Sequence, residues 1–240
     1  ANEAIEDIRS GPERADLAFL HLDLANIASV RQAAEEASHE ERIDLLIDNA
    51  GVMMPPLSTA TAGCELQFAV NHLGHFAFTS LQSSLAHRGA GIDFDNLDAT
   101  KGYSKTQFYG QSKLANLLFA KELDRRLRAS GSSVSAIACH PGIAQTELTR
   151  HLGMLGGVFG SLVGVVLNSA ADGALPALQA ATDPEAEGGD YYGPYGFREM
   201  SGKRSGRAVA STKAKDEALA KRLWDRSVEL TGVDPDLPAA

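Results

Sequence analysis

At 240 residues, with 44% hydrophobic and 22% charged side chains, the chain has enough apolar material for one medium-sized globular domain. A formal net charge of −9, with no block of like charges, argues against a nucleic-acid-binding surface. The two cysteines, Cys64 and Cys139, stand far apart in no metal-ligand spacing, which suits a reducing cytoplasm.

The chain opens with ANEAIEDIRS, acidic and polar where a signal peptide would need a basic and then apolar start. The apolar run LAFLHLDL (Leu17–Leu24) predicts a strand that ends near Asp23. Helix formers in Ser29–Ala37 follow a Ser29-x-x-Gln32 capping box. IDLLIDNAG (Ile43–Gly51) predicts a second strand, buried on both faces and closed by Asn-Ala-Gly. A helix over roughly Cys64–Gln82 comes next. It contains His72 and His75, which lack the third ligand that a metal site needs. The helix after it carries Leu117, Ala120, Leu123 and Leu127 down one face. VSAIACHPG (Val134–Gly142) predicts a third strand stopped by Pro-Gly, and a last helix covers about Thr212–Thr231. No repeat or linker divides residues 1–240, so a single domain is expected.

Leu152–Leu167, LGMLGGVFGSLVGVVL, has no charge and three overlapping G-x-x-x-G spacings. It is short of the ~20 residues needed to span a bilayer, and no positive cluster follows it. Its five glycines disfavour a stiff helix, at ~1 kcal/mol each relative to alanine. These features predict a substrate-capping segment over 152–175 and no stable membrane insertion.

Strands alternating with helices predict a doubly wound parallel sheet of the Rossmann type, in which ligands sit beyond the strands' carboxyl ends. Asp23, Asn49-Ala50-Gly51 and Pro141-Gly142 all fall at such ends. Within FYGQSKLAN (108–116), Tyr109 and Lys113 are four apart, so their side chains share a helix face. With five tyrosines and eight lysines, such a pair arises by chance in roughly one chain of this size in six, so alone it proves little.

Taken together, LDL (22–24), NAGVM (49–53), NHLGHF (71–76), SSLAH (83–87), YGQSKLAN (109–116), HPGIAQTEL (140–148) and GGDYYGP (188–194) resemble the short-chain dehydrogenase/reductase family, in its retinol-dehydrogenase-like branch. The resemblance covers essentially the whole chain. It implies an NAD(P)-dependent oxidoreductase acting on an apolar small-molecule alcohol or ketone, with a catalytic tetrad on Asn71, Ser84, Tyr109 and Lys113. Tyr109 would be the general acid/base, Lys113 would lower its pKa, and Ser84 would hydrogen-bond the reacting oxygen. Asn71 would hold a proton-relaying water, and its plainer alternative is to satisfy a backbone group. Cofactor contacts are implied at Asp23, Leu24, Asn49, Ala50, Gly51, Lys113, Pro141, Gly142 and Thr146, whereas His87 and His140 are expected to pack. NADP is favoured over NAD by the resemblance only. A homo-oligomer is one open assembly state.

The family begins with a strand, a T-G-x-x-x-G-x-G turn and a helix, and carries a strand before the catalytic serine; this sequence contains neither. Either residues are missing between Gln82 and Ser83, which predicts Cα atoms there much farther apart than ~3.8 Å, or the chain is a degenerate member. The degenerate reading leads to a second functional class, a catalytically silent protein that senses nucleotides or acts as a scaffold.

Overall fold

The computed structural model describes residues 2–11, 15–78, 87–143 and 168–239. Ser84, Thr146, the Gln82/Ser83 join and the apolar run 152–167 lie outside the described residues. Helix α1 (Asn2–Arg9) is formed by the acidic opening. Helix α2 (Ile27–Ala37) buries Val30 and Ala33. Its cap is Asn26, whose Oδ1 accepts from the Ala28 N–H, and not the expected Ser29 box. Ser29 Oγ instead accepts from the Asp23 N–H at 3.0 Å, tying the preceding segment to the first turn.

The next helical rod, α3, starts later than expected, because the Glu65 carboxylate caps it by accepting from the Gln67 and Phe68 N–H groups. It consists of Leu66–Phe68, a π-helical stretch Ala69–Gly74, and His75–Phe78. A π segment widens the helix and re-aims its side chains, and such segments are frequent at functional sites. Gly74 lets α3 lie directly on Leu24, whose carbonyl oxygen would be 2.5 Å from any Cβ placed there.

Helix α4 (Lys105–Ala129) is enclosed on nearly every side rather than amphipathic. Besides the expected stripe, Leu114, Ala115, Leu118 and Phe119 are all buried. Helix α6 (Glu217–Thr231) packs along it and sends Trp224 between Phe76 of α3 and Phe119 of α4, with ring centroids 5.2 and 5.6 Å away. The expected Thr212–Thr231 helix is shortened because Asp216 Oδ1 accepts from the Leu219 N–H and caps it there; a 3-10 turn, Lys213–Lys215, precedes the cap.

Among the described residues the sheet has three strands. β1 (Ala138–Cys139) pairs in parallel with β2 (Tyr191–Pro194), and β3 (Ser205–Arg207) runs antiparallel to β2. Helix α5 (Ala170–Thr182), capped by Ser169, packs against β2 and β3. Only the centre of the expected Val134–Gly142 strand is laddered, and Val134 is exposed.

The two expected strands Leu17–Leu24 and Ile43–Gly51 form no ladder. Instead of being buried on both faces, Ile43, Leu45, Leu46 and Ile47 are exposed, as is Phe19. A strand is held by partners on its flanks, and the described chain supplies none here. What keeps these segments in place is their ends, where Leu24 and Asp48 are buried against α3.

Trp224 joins three helices, so Trp224→Ala should cost about 3–5 kcal/mol of unfolding free energy. A urea midpoint that shifts by correspondingly little would show that the α3–α4–α6 contact is not the centre of the core.

Candidate active site

Helix α4 presents Tyr109 and Lys113 one turn apart, Tyr109 half-buried and Lys113 buried. The Lys113 ammonium Nζ lies 5.7 Å from the centre of the Tyr109 ring. Loss of water around it pushes the Lys113 pKa down to about 8, and the neighbouring Cys139 acts weakly in the opposite direction. A cation whose hydration has been stripped away interacts strongly with any negative charge that forms beside it.

The π-helical part of α3 aims Asn71 at the same spot. Asn71 is fully buried and clamps Val52 by two bonds: Oδ1 accepts from the Val52 N–H at 2.7 Å, and Nδ2 donates to the Val52 carbonyl at 2.9 Å. The other amide hydrogen goes to Ser112 Oγ at 3.0 Å, and Ser112 in turn donates to the Tyr109 carbonyl. Asn71 therefore does satisfy a backbone pair, and in doing so it fixes the turn after Asn49-Ala50-Gly51 to the helix that carries Tyr109. A Cβ on Gly51 would lie 3.0 Å from Asn71 Oδ1 and 3.5 Å from Lys113 Nζ. Glycine there keeps open a small polar space between the two.

Other expected site residues sit around this centre. Leu24 is buried under Gly74, while Asp23 is exposed, with Oδ1 accepting from the Ala25 N–H. Asn49 and Ala50 are exposed. Gly142 has φ +72°, and a side chain there would strike the Met200 carbonyl. His140 is buried beside Tyr191, with ring centroids 5.2 Å apart, and its Nδ1 accepts from the Gly142 N–H. His87 Nε2 accepts from the Ser211 N–H. Both histidines therefore pack, as expected.

Sequence reasoning missed Ser112, Asp48 and Asn168. Ser112 had a signal, since it lies three residues from Tyr109 inside the quoted motif. Asn168 had none. It is buried, donates to the Pro141 carbonyl and accepts from the Gly202 N–H, holding together loops distant in the chain. His72 is fully buried in α3, and its Nε2 is 2.8 Å from Ser227 Oγ of α6. Burial pushes its pKa down to about 3, which keeps it neutral. Among the described residues no group of three or more His, Cys, Asp or Glu is placed to hold a metal ion. None of their helices is long and apolar enough to cross a membrane.

The family model for short chain dehydrogenases matches residues 1–154. The chain belongs to the short-chain dehydrogenase family. It is an oxidoreductase of CH–OH groups that works with a nicotinamide cofactor. Human retinol dehydrogenase 13 is 40% identical, over 96% of this chain and 73% of its own length. Human retinol dehydrogenase 14 is 36% identical, over 91% of this chain and 68% of its own. The alignment with the first spans 253 positions, more than the 240 residues of this chain, so that relative carries internal residues with no counterpart here. The crystal structure of an uncharacterized protein from Mycobacterium paratuberculosis superposes with a TM-score of 0.78 at 33% identity, covering 99% of this chain and 82% of that one. A blue fluorescent protein from a metagenomic library, solved with NADPH, shares the fold at a TM-score of 0.55 and 22% identity, over 80% of this chain and 78% of its own. The doubly wound Rossmann class expected from the strand–helix alternation is therefore the class of this chain.

A desolvated ammonium costs stability, so Lys113→Met should stabilise the fold at neutral pH by about 1–3 kcal/mol. Above pH 8 the folded chain sheds the Lys113 proton that the unfolded chain still holds, so the parent gains stability as pH rises. The difference between the two proteins in urea titrations should accordingly narrow on the alkaline side; a variant less stable than the parent at neutral pH would contradict it.

Proposed function

We propose that the protein interconverts an apolar small-molecule alcohol and its carbonyl compound, with Tyr109 as the general acid/base. The observation that carries this reading is the buried Lys113 ammonium, set between the Tyr109 ring and the Asn71–Gly51 space. The apolar substrate class draws its support from the names of the retinol dehydrogenases that the chain resembles and from the uncharged segment 152–167. Two free, buried cysteines are consistent with a reducing, cytoplasmic setting.

The fit to a nicotinamide dinucleotide rests on two glycines. Gly51 leaves room beside Lys113, and Gly142 brings the backbone after β1 into a close turn that no side chain could share. Asn49, Ala50 and Gly51, with Asp23 and Leu24, would line the adenosine side. Pro141, Gly142 and Thr146 would line the nicotinamide side, and Lys113 would also reach the ribose hydroxyls. NADP is the favoured form. The bound nicotinamide supplies the chemistry of accepting or donating a hydride at its C4.

The chain's own residues handle the proton. Oxidation leaves the alcohol oxygen with a proton to lose, and Tyr109 takes it; reduction runs the transfer backwards. A free phenol ionises near pH 10, so at neutral pH it needs help. Lys113 gives that help by favouring the phenolate electrostatically. Ser84 would donate a hydrogen bond to the same oxygen as charge builds on it. A water in the space beside Gly51, between Asn71 Oδ1 and Lys113 Nζ, would pass protons onward. We assign the segment 152–175 as the cap of the substrate pocket; of it, Asn168 donates to the Pro141 carbonyl and accepts from the Gly202 N–H.

Tyr109→Phe should leave the fold and NAD(P)H affinity nearly unchanged while turnover of a lipophilic alcohol falls about 10²–10⁴-fold. Steady-state rates beside a cofactor-fluorescence titration provide the measurement. Turnover within a few-fold of the parent would remove Tyr109 from the mechanism.

A further inference from the structure

Two polar atoms behind the Asn49-Ala50-Gly51 turn are buried without a hydrogen-bond partner: His75 Nδ1 and Asp48 Oδ2. Both side chains are almost fully enclosed, His75 at 3% and Asp48 at 8% exposure. His75 Nδ1 lies 3.5 Å from Asp48 Oδ1. The other ring nitrogen, Nε2, lies 2.8 Å from the Ala50 carbonyl oxygen. A carbonyl can only accept, so Nε2 carries a hydrogen. A neutral ring with its hydrogen on Nε2 would aim the Nδ1 lone pair at an ionised carboxylate. Two acceptors facing each other away from water repel. One additional proton between Nδ1 and Oδ1 removes the conflict, whether it sits on the ring or on the carboxyl.

We propose that Asp48 and His75 share this proton and act as a latch: the pair fixes the Ala50 carbonyl and so positions the Asn49-Ala50-Gly51 turn for the cofactor. The inference rests on the reading of that turn as cofactor-lining. Asp48 and His75 are positioning residues, since each acts through the Ala50 backbone. The connection runs further, because Gly51 and Val52 are the next links and Asn71 clamps Val52 to α4.

The latch depends on pH in a definite direction. Burial pushes the Asp48 carboxyl up, and the His75 ring beside it pulls the other way. A carboxyl raised in the fold prefers its proton there, so its contribution is complete at low pH and is lost as pH rises through the folded value. Once the shared proton leaves, His75 faces the carboxylate as an acceptor and its hold on Ala50 weakens. The other ionisable groups nearby are few. His72 lies one turn earlier on α3 and stays neutral. Lys113 approaches from α4 across Gly51. Helix α2 packs on α3 through its buried Val30 and Ala33, and its charged Arg31, Glu35 and Glu36 are exposed.

The test compares the full chain with Asp48→Asn and His75→Ala, titrating NADPH and NADH by cofactor fluorescence across a pH series, with nitrogen NMR of the labelled histidine rings alongside. An asparagine amide can donate to Nδ1 without any ionisable proton. Asp48→Asn should therefore keep the low-pH affinity of the parent and lose its alkaline weakening, roughly tenfold, that tracks the His75 ring signals. Lys113 contributes a step common to both proteins, so the latch is read from their difference. His75→Ala should bind weakly at every pH. Identical pH profiles for the parent and Asp48→Asn would overturn the proposal, as would a His75 ring that titrates while affinity stays constant. If neither nucleotide binds at any pH while the ring titrates normally and Asp48→Asn abolishes that titration, the cofactor reading of the turn fails and takes the positioning role with it. The His75 signals tell that failure apart from a failure of the latch.

Discussion

The structure is organised around an ammonium group kept from water. Removing a cation from solvent costs several kcal/mol even after relaxation, and a fold tolerates it only where the surroundings hold it firmly. Around Lys113 that firmness comes from three directions: its own helix, the Asn71 side chain, and the turn at Gly51. The gain is a charge poised close to a phenol, in a setting where electrostatic influence is not diluted by solvent. The same enclosure that destabilises the lysine leaves its field at Tyr109 unscreened.

Helix α4 can carry such a group because it is itself enclosed, and it resolves its remaining polarity internally. Glu122 is buried and accepts from Arg126 Nε at 2.6 Å, and the Arg126 guanidinium lies 4.4 Å above the Trp224 ring. Asp124 is buried too, paired with Arg128 and accepting from the Ala136 N–H just before β1. These charges tie α4 to α6 on one side and to the sheet on the other. Breaking such a pair leaves an uncompensated buried charge, so the partners hold one another in place. Rigidity at the C-terminal end of α4 thus supports the geometry at Tyr109 near its start.

The Tyr109–Lys113 pair and the turns at Gly51 and Gly142 were legible because each depends on local rules. Four residues on a helix share a face whatever surrounds them, and Asn-Ala-Gly or Pro-Gly ends an apolar run by backbone chemistry alone. Helix starts were less legible. Asn26, Glu65 and Asp216 cap α2, α3 and α6, displacing the boundaries read from composition, because several oxygen-bearing side chains stood close enough to compete. The two unladdered segments show a different limit. Apolar content marked Leu17–Leu24 and Ile43–Gly51 as strands, yet pairing is a property of neighbours.

By itself, then, the sequence determined the family, the fold class and the one-turn spacing of Tyr109 and Lys113, since motifs and periodicities are written along the chain. Tertiary structure decided what those residues touch. It made α4 a buried helix, turned Asn71 into a clamp on Val52, and set Asp48 against His75, a pair 27 positions apart. It also brought Asn168 to Pro141 with no motif to announce it. Burial and contact between distant residues depend on how whole elements pack, and packing is a sum over the entire chain that no local pattern contains.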